Sequence, residues 1–224
     1  MARNSLRGGS ETLARDFPVA VTSAVCDLGS DASRQAMLEA LLAGDGGLDI
    51  LVNITGGPPA GPISALDAAS LSPHFEAMML SVIDTTNRLL PRLRERGWGH
   101  IITSTSSGVV QPIPDLGISN ALRASLVSWS KTLASEVAGD GVPANVVVPG
   151  RIKTRRVDEL DQKSAERQGR PVEDIVRESL ASIPAGRYGT PEEFANVIAF
   201  LASDCASYVT GSVFRIDGGL IRCP

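Results

Sequence analysis

Three features of this 224-residue sequence predict an α/β fold with a doubly wound, mostly parallel sheet. Short hydrophobic runs of strand character alternate with stretches of helical periodicity, and that alternation places helices on both faces of a parallel sheet. The run LDILVN (48–53) is almost continuously apolar, as expected of a strand covered on both sides. Aromatic residues make up 4% of a chain that is 43% hydrophobic, so Ala, Val, Leu and Ile must fill the core. At this length a single domain, 1–224, is the expectation.

The elements follow in order. VAVTSAV (19–25) reads as a strand, closed by Cys26-Asp27-Leu28-Gly29. Ser30 then caps a helix whose Met37, Leu38, Leu41 and Leu42 share one face. The strand 48–53 stops at Gly56-Gly57-Pro58-Pro59. A long helix over 73–97 is expected to start with Ser72 as cap and Pro73 in the first helical position. Its buried stripe would hold Phe75, Met79, Val82, Ile83, Thr86, Leu89 and Leu90. GHIITSTSS (99–107) is the next strand and 118–138 the next helix, with Ile118, Leu122, Leu126, Leu133 and Val137 on one side. ANVVVPG (144–150) is a strand halted by Pro149-Gly150. Residues 151–187 are charged and show no clear apolar stripe, so they read as an exposed excursion with one or two short helices. Thr190-Pro191-Glu192-Glu193 forms a capping box for a helix that buries Phe194, Val197, Ile198 and Leu201. SVFRIDGG (212–219) is the last strand and turn. Ligands of such a sheet sit at the carboxyl ends of its strands.

Composition excludes several classes. With 21 Lys and Arg against 25 Asp and Glu the net charge is -4, which opposes a nucleic-acid partner. Cys26, Cys205 and Cys223 are odd in number and far apart, which suits a reducing compartment better than a disulfide framework or a metal centre. His74 and His100 lack zinc spacing and read as structural. No run approaches the roughly 18 apolar residues of a membrane span. The opening MARNSLRGGSETLARD has no signal-peptide core, so a cytoplasmic protein without a membrane partner is expected.

Four segments carry a resemblance. LDILVNITGG resembles the strand and turn usually written L-D-x-L-V-N-N-A-G in the short-chain dehydrogenase/reductase family. IITSTSS resembles that family's strand ending in the active-site Ser, and NVVVPGRIKT its cofactor-side Pro-Gly segment. GRYGTPEEFANVIAFLASDCASYVTGSVFRIDGG is similar to its carboxyl-terminal stretch. The resemblance as a whole covers about residues 15 to 222, and the closest flavour is the 3-oxoacyl-carrier-protein-reductase-like branch. The resemblance implies a Rossmann-like fold and an oxidoreductase using NAD or NADP on a small-molecule or carrier-bound carbonyl substrate. It also implies a homodimer or homotetramer joined through the helices over 73–97 and 118–138, with 151–187 on the substrate side.

Two departures qualify it. No G-x-x-x-G-x-G occurs in the chain, and Met1-Ala2-Arg3-Asn4 resembles the turn after the family's second strand, as though the first β-α-β unit were absent. In the family sheet this leaves 19–25 and 48–53 about 14 Å apart at ~4.8 Å per strand. Either 19–25 slides in beside 48–53, or a second chain supplies the edge, or the natural chain is longer. The pyrophosphate cradle of backbone N–H groups would go with the missing unit, so this chain is expected to bind NAD(P)H weakly.

The second departure is catalytic. The resemblance places Ser106 on the family Ser, Ser119 on the Tyr, Arg123 on the Lys and Met78 on the Asn; Tyr188 and Tyr208 lie too far along to match. A serine alcohol is a far poorer acid than a phenol, whereas Arg123 stays charged and shares a helix face with Ser119. The pair reads as an altered redox site, as a binding site for a carboxylate, phosphate or enolate oxygen, or as a polar patch with Arg123 solvated or paired to a carboxylate. A catalytically silent structural or regulatory subunit is the alternative function. By the same resemblance Asp27, Asn53, Thr55, Gly56, Pro149, Gly150, Ile152 and Thr154 would contact the cofactor. Arg151, Lys153, Arg155 and Arg156 form a cationic cluster suited to an acidic carrier or to solvent.

Overall fold

The structure, a computed structural model, describes residue 13, residues 15–43 and residues 48–223. Four parallel strands form one sheet in sequential order: β1 (Ile50–Asn53), β2 (His100–Ser104), β3 (Ala144–Pro149) and β4 (Val213–Ile216). The register runs Ile50 opposite His100, Ile101 opposite Ala144 and Val146 opposite Val213. Helices lie between them: α1 (Asp31–Leu42), α2 (Ala68–Phe75), α3 (Ser81–Arg96), α4 (Gly117–Val137), α5 (Arg155–Gln168), α6 (Val172–Ser182) and α7 (Pro191–Leu201). A π-helical turn, Glu76–Leu80, joins α2 to α3.

Strand alternation sorts the core into two layers. Ile101 faces Leu90 and Leu93 of α3 and Leu133 and Val137 of α4. Its neighbour Ile102 turns the other way, onto Val147, Leu201 and the α7 side chains Phe194, Val197 and Ile198. The sheet is therefore covered on both faces by aliphatic side chains. Two polar braces tie α3 and the turn before it to their neighbours. The Asn53 amide, buried at the end of β1, donates to the hydroxyls of Thr86 on α3 (3.2 Å) and Thr103 on β2 (3.4 Å). Arg34 of α1, 3% exposed, donates to Glu76 (2.9 Å), Asp84 (3.3 Å) and the Leu28 carbonyl (2.5 Å).

The sequence reading needs correction at three places. Residues 19–25 form no strand and are not one of the four strands of the sheet; Val19 and Val25 are 60% and 58% exposed. A strand is stable only with a ladder partner, and β-branched composition alone does not create one. The long helix begins earlier than Ser72: Asp67 accepts from the Ser70 amide (2.8 Å) while the Ser70 hydroxyl serves the Asp67 amide (3.1 Å), a reciprocal cap that leaves Pro73 inside α2. The 151–187 excursion is not wholly exposed, since α5 and α6 pack together and bury Val157, Ala165 and Ile175. Among the described residues no helix is long and apolar enough to cross a membrane.

Candidate active site

The carboxyl ends of β1, β2 and β3 open onto a cleft of about 470 Å³. The turn after β1 contributes Thr55 and Gly56, the end of β2 Ser106, and α4 both Ser119 and Arg123. The segment leaving β3 adds Pro149, Gly150, Ile152 and Thr154. Glycine is required at position 150, because a Cβ there would lie 2.7 Å from the Asp217 Cα. Gly150 N–H donates to the Ile216 carbonyl (2.9 Å), and reciprocal bonds between 151–153 and Gly189 hold the strip above the cleft.

Nine of the sequence-derived site residues thus meet at one place. Asp27 lines a smaller neighbouring cleft of about 220 Å³ together with Gly29, Gly56 and Met78. Its carboxylate accepts from the Gly29 amide at 2.9 Å. Asn53 lies just beneath, its amide engaged with Thr86 and Thr103. Met78 is 3% exposed and packs with Ile118 and Leu122.

Ser106 stands at the mouth. Its hydroxyl accepts from the Gly108 amide at 3.2 Å, which leaves its proton free to donate. It also borders a second cleft of about 310 Å³ walled by Ile113, Leu116, Val157, Leu160 and Ile221. Asn120 clamps the 113 loop through both backbone groups of Ile113 (3.3 and 2.9 Å), and Asp115, in the left-handed region at φ 60°, holds Arg167 of α5 at 2.7 Å. Sequence reading passed over Asn120 and Arg167, which carry no motif of their own.

Arg123 is not solvated, and among the described residues no carboxylate pairs with it. It is 7% exposed, and its guanidinium donates to the carbonyls of Ser104 (3.3 Å), Thr55 (3.1 Å) and Gly56 (3.0 Å). Burial, and then the charge of nearby Arg156, push its pKa below the usual arginine value. Arg156 reaches across from α5 to the Pro58 carbonyl (3.0 Å) and lies against Gly57. Ser119, 8% exposed, has no hydrogen-bond partner among the described residues. No phenol enters: the Tyr188 hydroxyl donates to buried Asp161 (2.8 Å), and Tyr208 is fully exposed.

The fold and this cleft define a class. The family model described as enoyl-(acyl carrier protein) reductase matches residues 2–221. Nodulation protein G of Azospirillum brasilense is 33% identical over 194 residues, 87% of this chain and 74% of its own. The 3-oxoacyl-[acyl-carrier-protein] reductase FabG of Escherichia coli (strain K12) is 35% identical over 193 residues, 84% of this chain and 73% of its own. L-sorbose reductase from Gluconobacter frateurii, solved with NADPH and L-sorbose, superposes with a TM-score of 0.91 at 29% identity, covering 99% of this chain and 84% of that one. The chain belongs to the short-chain dehydrogenase/reductase family.

Proposed function

We propose that the protein is an oxidoreductase that interconverts a carbonyl and a hydroxyl with a nicotinamide cofactor, through an altered proton-donating site. The observation that carries this reading is Ser106, which lines both the cleft at the strand ends and the neighbouring cleft walled by Ile113, Leu116, Val157, Leu160 and Ile221. The residues present fit the nicotinamide end of a cofactor: the Thr55 hydroxyl oxygen is buried without a partner, and Pro149 to Thr154 line the same cleft. They fit the diphosphate less well, because no G-x-x-x-G-x-G turn occurs in the sequence to cradle it. A nicotinamide group supplies or accepts the hydride when bound. Ser106 donates a hydrogen bond to the substrate oxygen, and the free Ser119 hydroxyl is the donor for a neighbouring oxygen of the bound ligand. Arg123, already bonded to three carbonyls, contributes fixed positive charge near the developing alkoxide.

Two consequences follow for this chain. Without two or three charge-assisted bonds of ~1.5 to 3 kcal/mol each, a micromolar dinucleotide site becomes millimolar. Without a phenol, carbonyl reduction is slower than in Tyr/Lys enzymes by about 10²- to 10⁴-fold. Substrates are small or carrier-bound carbonyl compounds, and a dimer or tetramer assembles through α3 and α4. Titrating NADH and NADPH by fluorescence, then following reduction of short 3-oxo thioesters, tests the reading. Ser106→Ala should lower kcat/KM about 10-fold, the value of one hydrogen bond made in the transition state. An unchanged rate in that variant, or no cofactor signal at any accessible concentration, defeats it. The second reading, a silent subunit, is favoured by the full engagement of Arg123 and the absent phenol; it predicts no turnover in any variant.

A further inference from the structure

The cleft holds two cations that no carboxylate balances. Among the described residues neither Arg123 nor Arg156 forms an ion pair; each donates only to backbone carbonyls. The one acid on the cleft wall, Glu159, is held by Arg155 at 3.1 Å. The amino end of α5 meets the same space. Its cap residue, Thr154, makes no side-chain cap bond, because its hydroxyl donates to the Ile152 carbonyl (3.3 Å) instead. The amides of Arg155 and Arg156 have no acceptor among the described residues, and the first turn of a 14-residue helix adds its partial positive charge. Independently, Ser119 is nine-tenths buried, unpartnered and on the wall of the cleft.

We propose that this cleft is an oxyanion-binding site formed by the Arg156 guanidinium, the Ser119 hydroxyl and the first turn of α5, with Arg123 behind it as fixed charge. Its ligand is an anionic oxygen group, either a carboxylate on the substrate or a phosphate of the cofactor. Arg156, Ser119 and the first turn of α5 line one cleft, and a guanidinium, a hydroxyl and backbone amides are the donors such a group's acceptors require. Binding replaces the mutual repulsion of two guanidinium groups by attraction to a shared anion. The proposal deepens the oxidoreductase reading by naming a ligand class, but its test needs no turnover.

The test uses the full chain, titrated calorimetrically at constant ionic strength with malonate in one arm and inorganic pyrophosphate in the other. Arg156→Gln should weaken the bound probe at least about 10-fold, and Ser119→Ala by a smaller factor. Arg156→Lys, which keeps charge but loses the fork, should fall between wild type and Arg156→Gln. Lys163→Gln removes the same charge from the exposed side of α5 and should leave the affinity unchanged. Preference for malonate assigns the site to a substrate carboxylate, preference for pyrophosphate assigns it to a cofactor phosphate, and equal binding supports an unselective oxyanion site. No binding of either probe at millimolar concentration, or equal losses in the Arg156→Gln and Lys163→Gln variants, overturns the proposal. Anion binding without carbonyl reduction would leave the site standing and defeat the oxidoreductase reading.

Discussion

Arg123 shows why residue type and spacing are not the same as role. Its i, i+4 relation to Ser119 places both on one helix face, and both do border the cleft. Spacing does not reveal the acceptors, which belong to segments 19 to 68 positions away: the Ser104 carbonyl at the end of β2 and those of Thr55 and Gly56 after β1. The guanidinium therefore fastens two strand ends across the cleft floor. Arg123→Met strips those carbonyls of their donor, and each buried unsatisfied group costs about 1 to 3 kcal/mol. The expected loss is about 2 to 4 kcal/mol, read as a lower urea midpoint with an unchanged slope. Ser119→Ala, which breaks no existing bond, should stay within about 0.5 kcal/mol of wild type. Equal midpoints in the two variants would show that Arg123 is not a brace.

At the scale of elements, local chemistry was legible and competition between local signals was not. The box at the start of α7 reads directly from Thr190-Pro191-Glu192-Glu193. It forms as read: the Thr190 hydroxyl accepts from the Glu193 amide (3.2 Å), and Glu193 accepts from the Thr190 amide (2.8 Å). At α2, Ser72-Pro73 imitates a start, but the Asp67–Ser70 box four to five residues earlier satisfies more backbone groups and wins. Residues 19–25 fail for a different reason: strand propensity is present, but the segment is not one of the four strands of the sheet. Glu193 also accepts both terminal nitrogens of Arg187 (2.6 and 2.8 Å). That bond, and then the Thr190 amide, lower its pKa from 4.5 to about 2. The folded value lies below the unfolded one, so the unfolded chain binds the proton first. The stabilisation is complete above pH 4.5 and is lost as the pH falls towards about 2. Glu193→Gln should lower Tm at neutral pH, and its gap from wild type should close over that interval. A gap of constant size would show that the carboxylate charge contributes nothing.

For the molecule as a whole, the consequence lies at β1. Its order in the sheet makes it an edge, and among the described residues nothing pairs with its outer side. Ile50, Val52 and Ile54 are 39%, 37% and 61% exposed, which makes this edge apolar. A free, apolar edge without charge, proline or bulge is a template for another chain. The dimer proposed above would form instead through α3 and α4, so edge pairing and helix pairing are two alternatives. They respond differently to one substitution. Val52→Lys places a charge on the edge, where it blocks strand addition, and it touches neither helix. At a partly exposed edge position it should change stability by no more than about 0.5 kcal/mol. If the edge drives assembly, light scattering should show the wild-type chain growing through a broad series of sizes with concentration, and Val52→Lys should collapse that series to one small species. If the variant keeps the wild-type distribution, the edge is covered in solution, and self-association must run through the helices alone.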